Sequence, residues 1–553
     1  MYARGRRLTM PDPLAGTVAP QTLLDSVPRI VAAFYDLAPD PHEPAHLVRF
    51  GTSGHRGRSL ERSFNEAHVV AIAAAIAEVR AAEGTQGPLL LGADTHALSE
   101  PAFRTTLSVL AAAGVHVIVD HDFGFVPTPV ISHGILARNV GKAGPAADGI
   151  VITPSHNPPA DGGLKYNPVH GGPAGSATTK RIEERANALL AAGVASIPRL
   201  GFDDAFRAST TERCDLSGAY IDDLAAVVDL DAVAAAGLRL GVDPMGGAAI
   251  HMWPRIAERY GLDLEVVNDR VDPAFAFMRL DHDGTIRMDC SSPHAMAGLV
   301  ELADRFDVAF GNDPDVDRHG IVAGGGLMNP NHYLSAVADY LFTTRSGWHA
   351  DAALAKTVVT TRMLDRIAAA HGRPLREVPV GFKWFVDGLL DGGTGFAAEE
   401  SAGASLLRRD GTVWTTDKDG IAVALLAAEI TAVTGEDPAA RYRRLEDLHG
   451  APVYRRADAP ADAAQRDALA NLDASAIRAD RLAGETIERV LTTSPTGNAP
   501  LGGLKVETRN GWFAARPSGT EAIYKIYAES FLGDAHLDQL LDEARSVVAE
   551  AFD

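Results

Sequence analysis

The chain has 553 residues, 46% hydrophobic and 22% charged, with 51 basic against 72 acidic side chains for a net charge of −21. At ~100–200 residues per domain this length predicts three to five domains, four being the central expectation, and the acidic balance argues against nucleic acid and anionic membrane as partners, since both require basic surfaces. Cys214 and Cys290 are the only cysteines, too few for a disulfide framework, which points to an intracellular protein without thiolate-bound metal.

The opening Met1-Tyr2-Ala3-Arg4-Gly5-Arg6-Arg7-Leu8-Thr9-Met10 carries basic residues but no apolar stretch, so it does not read as a secretory signal, and Met10 is a second candidate initiator. Phe50-Gly51-Thr52-Ser53-Gly54-His55-Arg56-Gly57 follows, a glycine-spaced loop whose hydroxyls and arginine suit phosphate or a phosphorylated side chain. From about residue 65 onward helical and strand patterns alternate. Glu66 to Ala82 and Glu100 to Gly114 have helical periodicity and Pro88 to Gly92 is a short apolar strand, which predicts βαβ units. A strand running into a glycine-containing acidic loop recurs at Leu89–Asp94, Leu238–Asp243 and Val308–Asp313, a loose echo that similar domains in tandem would produce.

Asp148-Gly149-Ile150-Val151-Ile152 reads as a buried strand, and the prolines of Thr153-Pro154-Ser155-His156-Asn157-Pro158-Pro159 forbid its continuation. Ser155 thus sits just past a strand's carboxyl end, the edge where ligands bind in open α/β sheets. It is either a nucleophile or the capping serine of a proline-rich turn. It is not an esterase elbow, because Thr153 and Asn157 stand where that motif requires glycine. His156, adjacent in sequence, is poorly placed as its base and is read as orienting the loop. Lys165 and Lys383 each lie in a glycine-containing apolar context where burial or a neighbouring cation would lower the pKa into a useful range; solvated surface lysines are the alternative.

Asp313-Pro314-Asp315-Val316-Asp317-Arg318 spaces three carboxylates at intervals of two, so that in an extended segment all three project to one side and suit a hard divalent cation. An EF-hand is excluded, since its sixth position would be Arg318 and its twelfth Gly324. Mg²⁺, sharing a phosphate oxygen, is the expectation. The nearby Asp281-His282-Asp283 sits in a turn with Gly284 and reads as structural. Phe396-Ala397-Ala398-Glu399-Glu400-Ser401-Ala402-Gly403 offers acceptors and a hydroxyl for sugar hydroxyls, or else starts a helix. The most apolar helix, Ile421 to Val433, is interrupted by Glu429 and is far shorter than the ~20 residues of a membrane span, so a cytoplasmic protein is expected. Asp458 to Ala474 reads as a surface helix or linker. Arg516-Pro517-Ser518-Gly519-Thr520-Glu521 combines a guanidinium, hydroxyls and glycine as a phosphate cradle would, or caps a turn; it lacks a Walker lysine.

Taken in order, Thr-Ser-Gly-His-Arg-Gly, Thr-Pro-Ser-His-Asn-Pro, Asp-Pro-Asp-Val-Asp-Arg, Glu-Glu-Ser-Ala-Gly and Arg-Pro-Ser-Gly-Thr-Glu resemble the α-D-phosphohexomutase superfamily, nearest its bacterial phosphoglucomutases, from about Val48 to Leu532. The resemblance implies three tandem similar α/β domains with mixed sheets plus a smaller α+β C-terminal domain around a central cleft. The expected limits are an extension over 1–40 and domains over 41–213, 214–325, 326–447 and 448–553. It implies that Ser155 is phosphorylated, with Arg56 and His156 beside it, and that Asp313, Asp315 and Asp317 hold one Mg²⁺ against the Ser155 phosphate. Glu399 and Ser401 would bind sugar hydroxyls, Ser53 and Arg318 would contact substrate, and Arg516, Ser518, Gly519 and Thr520 would hold the non-reacting phosphate. Lys165 and Lys383 are the acid/base candidates. Two positions depart from the family pattern, Ala398 where glycine is usual and His96 where arginine is common. The implied reaction interconverts α-D-glucose 1-phosphate and D-glucose 6-phosphate through glucose 1,6-bisphosphate, with a mobile fourth domain. Mannose or N-acetylglucosamine phosphates, a Mg²⁺-dependent phosphatase and a non-catalytic phosphosugar binder are the alternatives. The partner is a phosphorylated hexose, and a homodimer is left open.

Overall fold

The computed structural model describes residues 11–51, 54–121, 124–517 and 523–550. Four large sheets follow one another along the chain. The first has six strands in the order Gly54–Arg58, Asp161–Asn167, Asp148–Ile152, Leu89–Ala93, Val117–Asp120, Thr211–Cys214. The second has five, Gly326–Leu327, Gly320–Ala323, Val308–Gly311, Leu240–Asp243 and Leu264–Val266; the third has four, Leu375–Val378, Ala353–Thr357, Thr394–Glu399 and Gly403–Leu406.

These three sheets share one motif. A first strand pairs in parallel with a flanking strand on one side and with a second parallel strand on the other, and that second strand turns back into an antiparallel neighbour. The strands buried on both faces are near-continuous apolar runs, as covered parallel sheets require. The first strands at equivalent places are Leu89–Ala93, Leu240–Asp243 and Ala353–Thr357. Two members of the echo read from sequence thus match, whereas its third, Val308–Gly311, occupies the second position of its sheet. The fourth sheet is antiparallel throughout, in the order Val453–Pro460, Ile523–Ser530, Gly511–Pro517, Pro500–Glu507, Arg489–Thr493, with helices Ala463–Ala470 and Asp534–Glu550 sharing its core cluster. The stretch expected to be a surface helix or linker is therefore strand up to Pro460 and helix from Ala463.

One apolar core runs through the second and third units and into the first, and the helix Gly420–Thr434 is buried along most of its length within it. Glu429 survives there because Arg345 forks onto it at 2.7 and 2.9 Å, the bidentate pairing that makes a buried carboxylate tolerable. Among the described residues no helix is long and apolar enough to cross a membrane. The segment before the first sheet divides its contacts. Residues near Asp12 and Gly16 bond the carbonyls of His282 and Leu280 in the second unit, whereas Ile30 and Phe34 of the helix Val27–Asp36 pack into the core of the first.

Candidate active site

The turn between the second parallel strand and its antiparallel neighbour recurs in the three sheets, and it carries Ser155 in the first, Asp313, Asp315 and Asp317 in the second, and Ser401 in the third. Each of these turns holds a non-glycine residue in the left-handed region: Ser155 at φ 64°, Val316 at 64° and Ala402 at 66°. That conformation costs of order 1–3 kcal/mol for a side-chain-bearing residue and persists only where surroundings enforce it.

At Ser155 the enforcement is visible. Its N–H donates to Thr153 Oγ1 at 2.7 Å, and Thr153 Oγ1 in turn donates to Asp94 Oδ2 at 2.6 Å. Asp94 also accepts from Ser99 Oγ at 2.5 Å and faces His96 Nδ1 at 2.8 Å, while His96 Nε2 meets the Asn157 carbonyl at 3.0 Å. His96 thus buttresses the serine loop. Although burial works against both charges, the pairing holds Asp94 below and His96 above their ordinary pKa values. The opposite strand must come close: a Cβ on Gly163 would lie 2.2 Å from the Thr153 carbonyl oxygen.

Ser155 Oγ lies 3.2 Å from Asp313 Oδ2 and 3.4 Å from His156 Nδ1. Burial, with the Arg318 guanidinium adding to it, pushes His156 well below the ordinary histidine range. The three aspartates are fully buried and offer oxygens all within 4.8 Å of one another. They converge through the left-handed turn at Val316, not through the extended alternation expected from sequence. Lys165 Nζ contacts Asp315 Oδ2 at 2.5 Å and Asp317 Oδ2 at 3.0 Å, and Lys418 Nζ contacts Asp317 Oδ2 at 2.8 Å. Arg318 Nε stands 3.6 Å from Asp317 and 3.9 Å from Asp313. Burial and two neighbouring carboxylates push Asp313 well above the usual range, whereas the lysines, outweighing burial, hold Asp317 well below it. Asp315 Oδ1 and Asp317 Oδ1 are buried without a hydrogen-bond partner. Hard oxygen donors with spare lone pairs in one cluster fit a divalent cation.

The expectation for Lys165 is overturned. Burial alone would depress its pKa, but the Asp315 and Asp317 carboxylates outweigh it and raise the value above an ordinary lysine's. Lys383 does shift downward, through burial, but its Nζ donates to Ser176 Oγ at 2.7 Å rather than to the aspartates. Lys418, which sequence reasoning passed over, lines the cleft with Lys165, Asp317, Arg318, Glu399 and Ser401. A lysine beside a helix start is the signal that was available, since cations are disfavoured there.

That cleft has a volume of about 420 Å³ and takes walls from the first three sheets, with Arg56 on the first. Arg56 Nη1 reaches Asn157 Oδ1 at 3.5 Å. Glu399 accepts the Gly381 N–H at 3.1 Å, and burial, reinforced by Glu400 and opposed by Lys418, pushes its pKa up to about 7. A larger hollow of about 720 Å³ flanks the helix Glu66–Glu83, but its one buried cation, Arg80, is already paired with Asp148 at 2.5 Å, so volume does not mark the site. Arg516, next to last in the strand Gly511–Pro517, has a buried, unbonded Nε. Ser53, Ser518, Gly519 and Thr520 lie outside the described residues.

Four domain patterns match consecutively: phosphoglucomutase/phosphomannomutase alpha/beta/alpha domain I over residues 47–192, domain II over 218–326, domain III over 329–448, and the C-terminal domain over 456–547. The chain is 53% identical over 542 residues to a phosphoglucomutase of Komagataeibacter xylinus, covering 98% of each. It is 26% identical to a phosphoglucosamine mutase of Thermus thermophilus, covering 91% of this chain and 98% of that one. The open form of pp63/parafusin from Paramecium shares the fold, with a TM-score of 0.72 at 18% identity over 93% of this chain and 95% of that one.

Proposed function

The chain belongs to the phosphoglucomutase/phosphomannomutase family, and on that premise we propose that it interconverts α-D-glucose 1-phosphate and D-glucose 6-phosphate through a phosphorylated Ser155. The observation that carries this reading is the Ser155 hydroxyl, strained into a left-handed turn 3.2 Å from a buried carboxylate cluster that two lysines and an arginine balance. Phosphoryl transfer needs charge neutralisation and in-line positioning more than covalent ingenuity.

In the forward half-reaction O6 of glucose 1-phosphate bonds to the phosphorus of phospho-Ser155 as the P–Oγ bond breaks. The O6 proton leaves and Ser155 Oγ gains one, giving glucose 1,6-bisphosphate. After the bisphosphate reorients, Ser155 Oγ gives up its proton and bonds to the phosphorus carried on O1 as the P–O1 bond breaks; O1 takes a proton, glucose 6-phosphate departs and phospho-Ser155 is restored. Lys165 and Lys418, both paired with Asp317 in the cleft, would exchange those protons, and Arg318 and Arg56 would supply fixed positive charge. Lys383 is reassigned from this role to the contact between the first and third units. Asp313, Asp315 and Asp317 would hold Mg²⁺, whose charge would screen the phosphoryl oxygens. Glu399 and Ser401 would take sugar hydroxyls from the third wall, and Arg516 with its following loop the distal phosphate. Two unpaired cysteines accord with a cytoplasmic setting.

The test is intact mass before and after treatment with glucose 1,6-bisphosphate, alongside coupled assays on α-glucose 1-phosphate and mannose 1-phosphate. One added phosphoryl group mapping to Ser155, faster turnover of the glucose ester, and a Ser155→Ala protein that neither gains the group nor turns over are the expected results. Rapid stoichiometric release of inorganic phosphate from the phosphoenzyme without sugar would sink the mutase reading in favour of a phosphatase.

A further inference from the structure

Lys418 sits between two aspartates, and each is gripped from a different part of the molecule. On one side Asp417 Oδ2 accepts from Asn167 Nδ2 at 2.9 Å, and Ser132 Oγ accepts the N–H groups of Thr416 at 3.1 Å and Asp417 at 3.2 Å. Asn167 and Ser132 both belong to the first unit. On the other side Asp419 caps the buried helix Gly420–Thr434, accepting from the N–H groups of Ile421 at 3.1 Å and Ala422 at 2.9 Å. A capping aspartate needs nothing further. This one also accepts from Trp414 Nε1 at 2.7 Å and has the Tyr220 hydroxyl 2.8 Å from both its oxygens. Tyr220 is fully buried on Leu216–Asp223, a helix between the first and second sheets.

The same spot also fixes the aspartate loop. The N–H of Gly420 donates to the Val316 carbonyl at 2.9 Å, and a Cβ on Gly420 would lie 2.2 Å from the Arg318 carbonyl oxygen. A movement of Asp419 therefore carries both the Lys418 backbone and the support of the left-handed Val316 turn. From these contacts we infer that Tyr220 is a positioning residue for the transfer reaction. It acts through Asp419 to hold the Lys418 ammonium against Asp317, although Tyr220 itself reaches no reacting atom.

The inference rests on the mutase reading and on Lys418 as a proton carrier, and a double-mutant cycle separates the levels. Tyr220→Phe keeps the ring and removes one hydrogen bond to a charged acceptor. The expected effect is a kcat lower by about tenfold with KM within about twofold, in protein whose circular dichroism and melting remain cooperative. Lys418→Ala should lower kcat by about 10²–10⁴. In the Lys418→Ala background Tyr220→Phe should then cost less than about twofold. If the two losses multiply, Tyr220 stabilises the fold generally and the inference is overturned, while the Lys418 assignment stands. Lys418→Ala with wild-type kcat overturns the assignment itself and the inference with it. Should Tyr220→Phe fold poorly, Asp419→Asn gives a second route to the same cycle, since it keeps the cap and weakens the acceptor; additivity there has the same meaning.

Discussion

Among the described residues, a cluster in the cleft and another away from it both set buried lysines against carboxylates. In the cleft, Lys165, Lys418 and Arg318 face Asp313, Asp315 and Asp317. Between the third and fourth units, Lys505 is fully buried, paired with Glu377 and 2.9 Å from Glu507, while Arg489 reaches Glu507 at 2.5 Å. Formal charges balance in both. The interface cluster stands on regular strands and abuts an apolar cluster of Val358, Val359, Leu501, Trp512, Ala514 and Tyr527, with the Lys505 ammonium 4.7 Å from the centre of the Trp512 ring. The cleft cluster stands on left-handed turns, keeps two unbonded carboxylate oxygens and borders open space. A buried lysine flanked by acids is therefore no sign of chemistry by itself; strain and access are what distinguish the two.

Charge removal should break the comparison in opposite ways. Asp317→Asn takes the shared partner from Lys165 and Lys418, and kcat should fall by about 10³, read in a coupled assay, with a smaller loss of thermal stability than the interface variant shows. A loss under about tenfold would make the cleft cluster structural, like its counterpart. Lys505→Met leaves Glu377 and Glu507 buried and short of a cation, which costs about 3–5 kcal/mol. Its expected signature is a lowered melting temperature and earlier proteolysis of the fourth unit, with kcat per folded molecule within about twofold. The fourth unit's expected mobility meets a firm dock here, since Glu529 also accepts the N–H of Arg362 at 2.8 Å. If Lys505→Met abolishes turnover in folded protein, the interface takes part in catalysis and the contrast fails.

The cleft cluster was largely legible in the sequence because its backbone is local. Prolines end the strand before Ser155, and three aspartates spaced by two leave few readings. What local pattern could not carry is pairing across the chain. Lys165 looked like a lysine of lowered pKa because its own neighbours are apolar, yet the groups that set its charge come from another sheet. Lys383 looked equivalent for the same reason. Lys418 hid inside a polar run that reads as the start of the apolar helix, and only the fold brings it to Asp317. The interface cluster left no signal at all: Glu377, Lys505 and Glu507 sit in ordinary strands, and nothing in their spacing announces burial against one another. The repeated sheet motif was half-visible, because glycine before aspartate marks the ends of strands at more than one position.

The smallest expected effect is also the one that sets the two regions apart most cleanly, because their glutamates respond to pH with opposite signs. Glu399 in the cleft has its pKa raised by burial from 4.5 to about 7. The folded state then binds more protons than the unfolded chain between those values, so stability falls as pH rises through that window, by a total of about 3 kcal/mol. At Glu507, burial would raise the pKa, but Lys505 and Arg489 outweigh it and bring it from 4.5 down to about 2. There the unfolded chain binds more protons, and a contribution of about 3 kcal/mol, full above 4.5, is lost as pH falls towards 2. Melting temperature against pH for the wild type, Glu399→Gln and Glu507→Gln resolves the two. Glu399→Gln should flatten the wild-type slope between 4.5 and 7 and leave the acid limb alone, while Glu507→Gln should do the reverse. Were Glu399→Gln to keep the full neutral-side slope, its carboxyl would not be the proton that the cleft holds back, and the cleft would titrate like the interface.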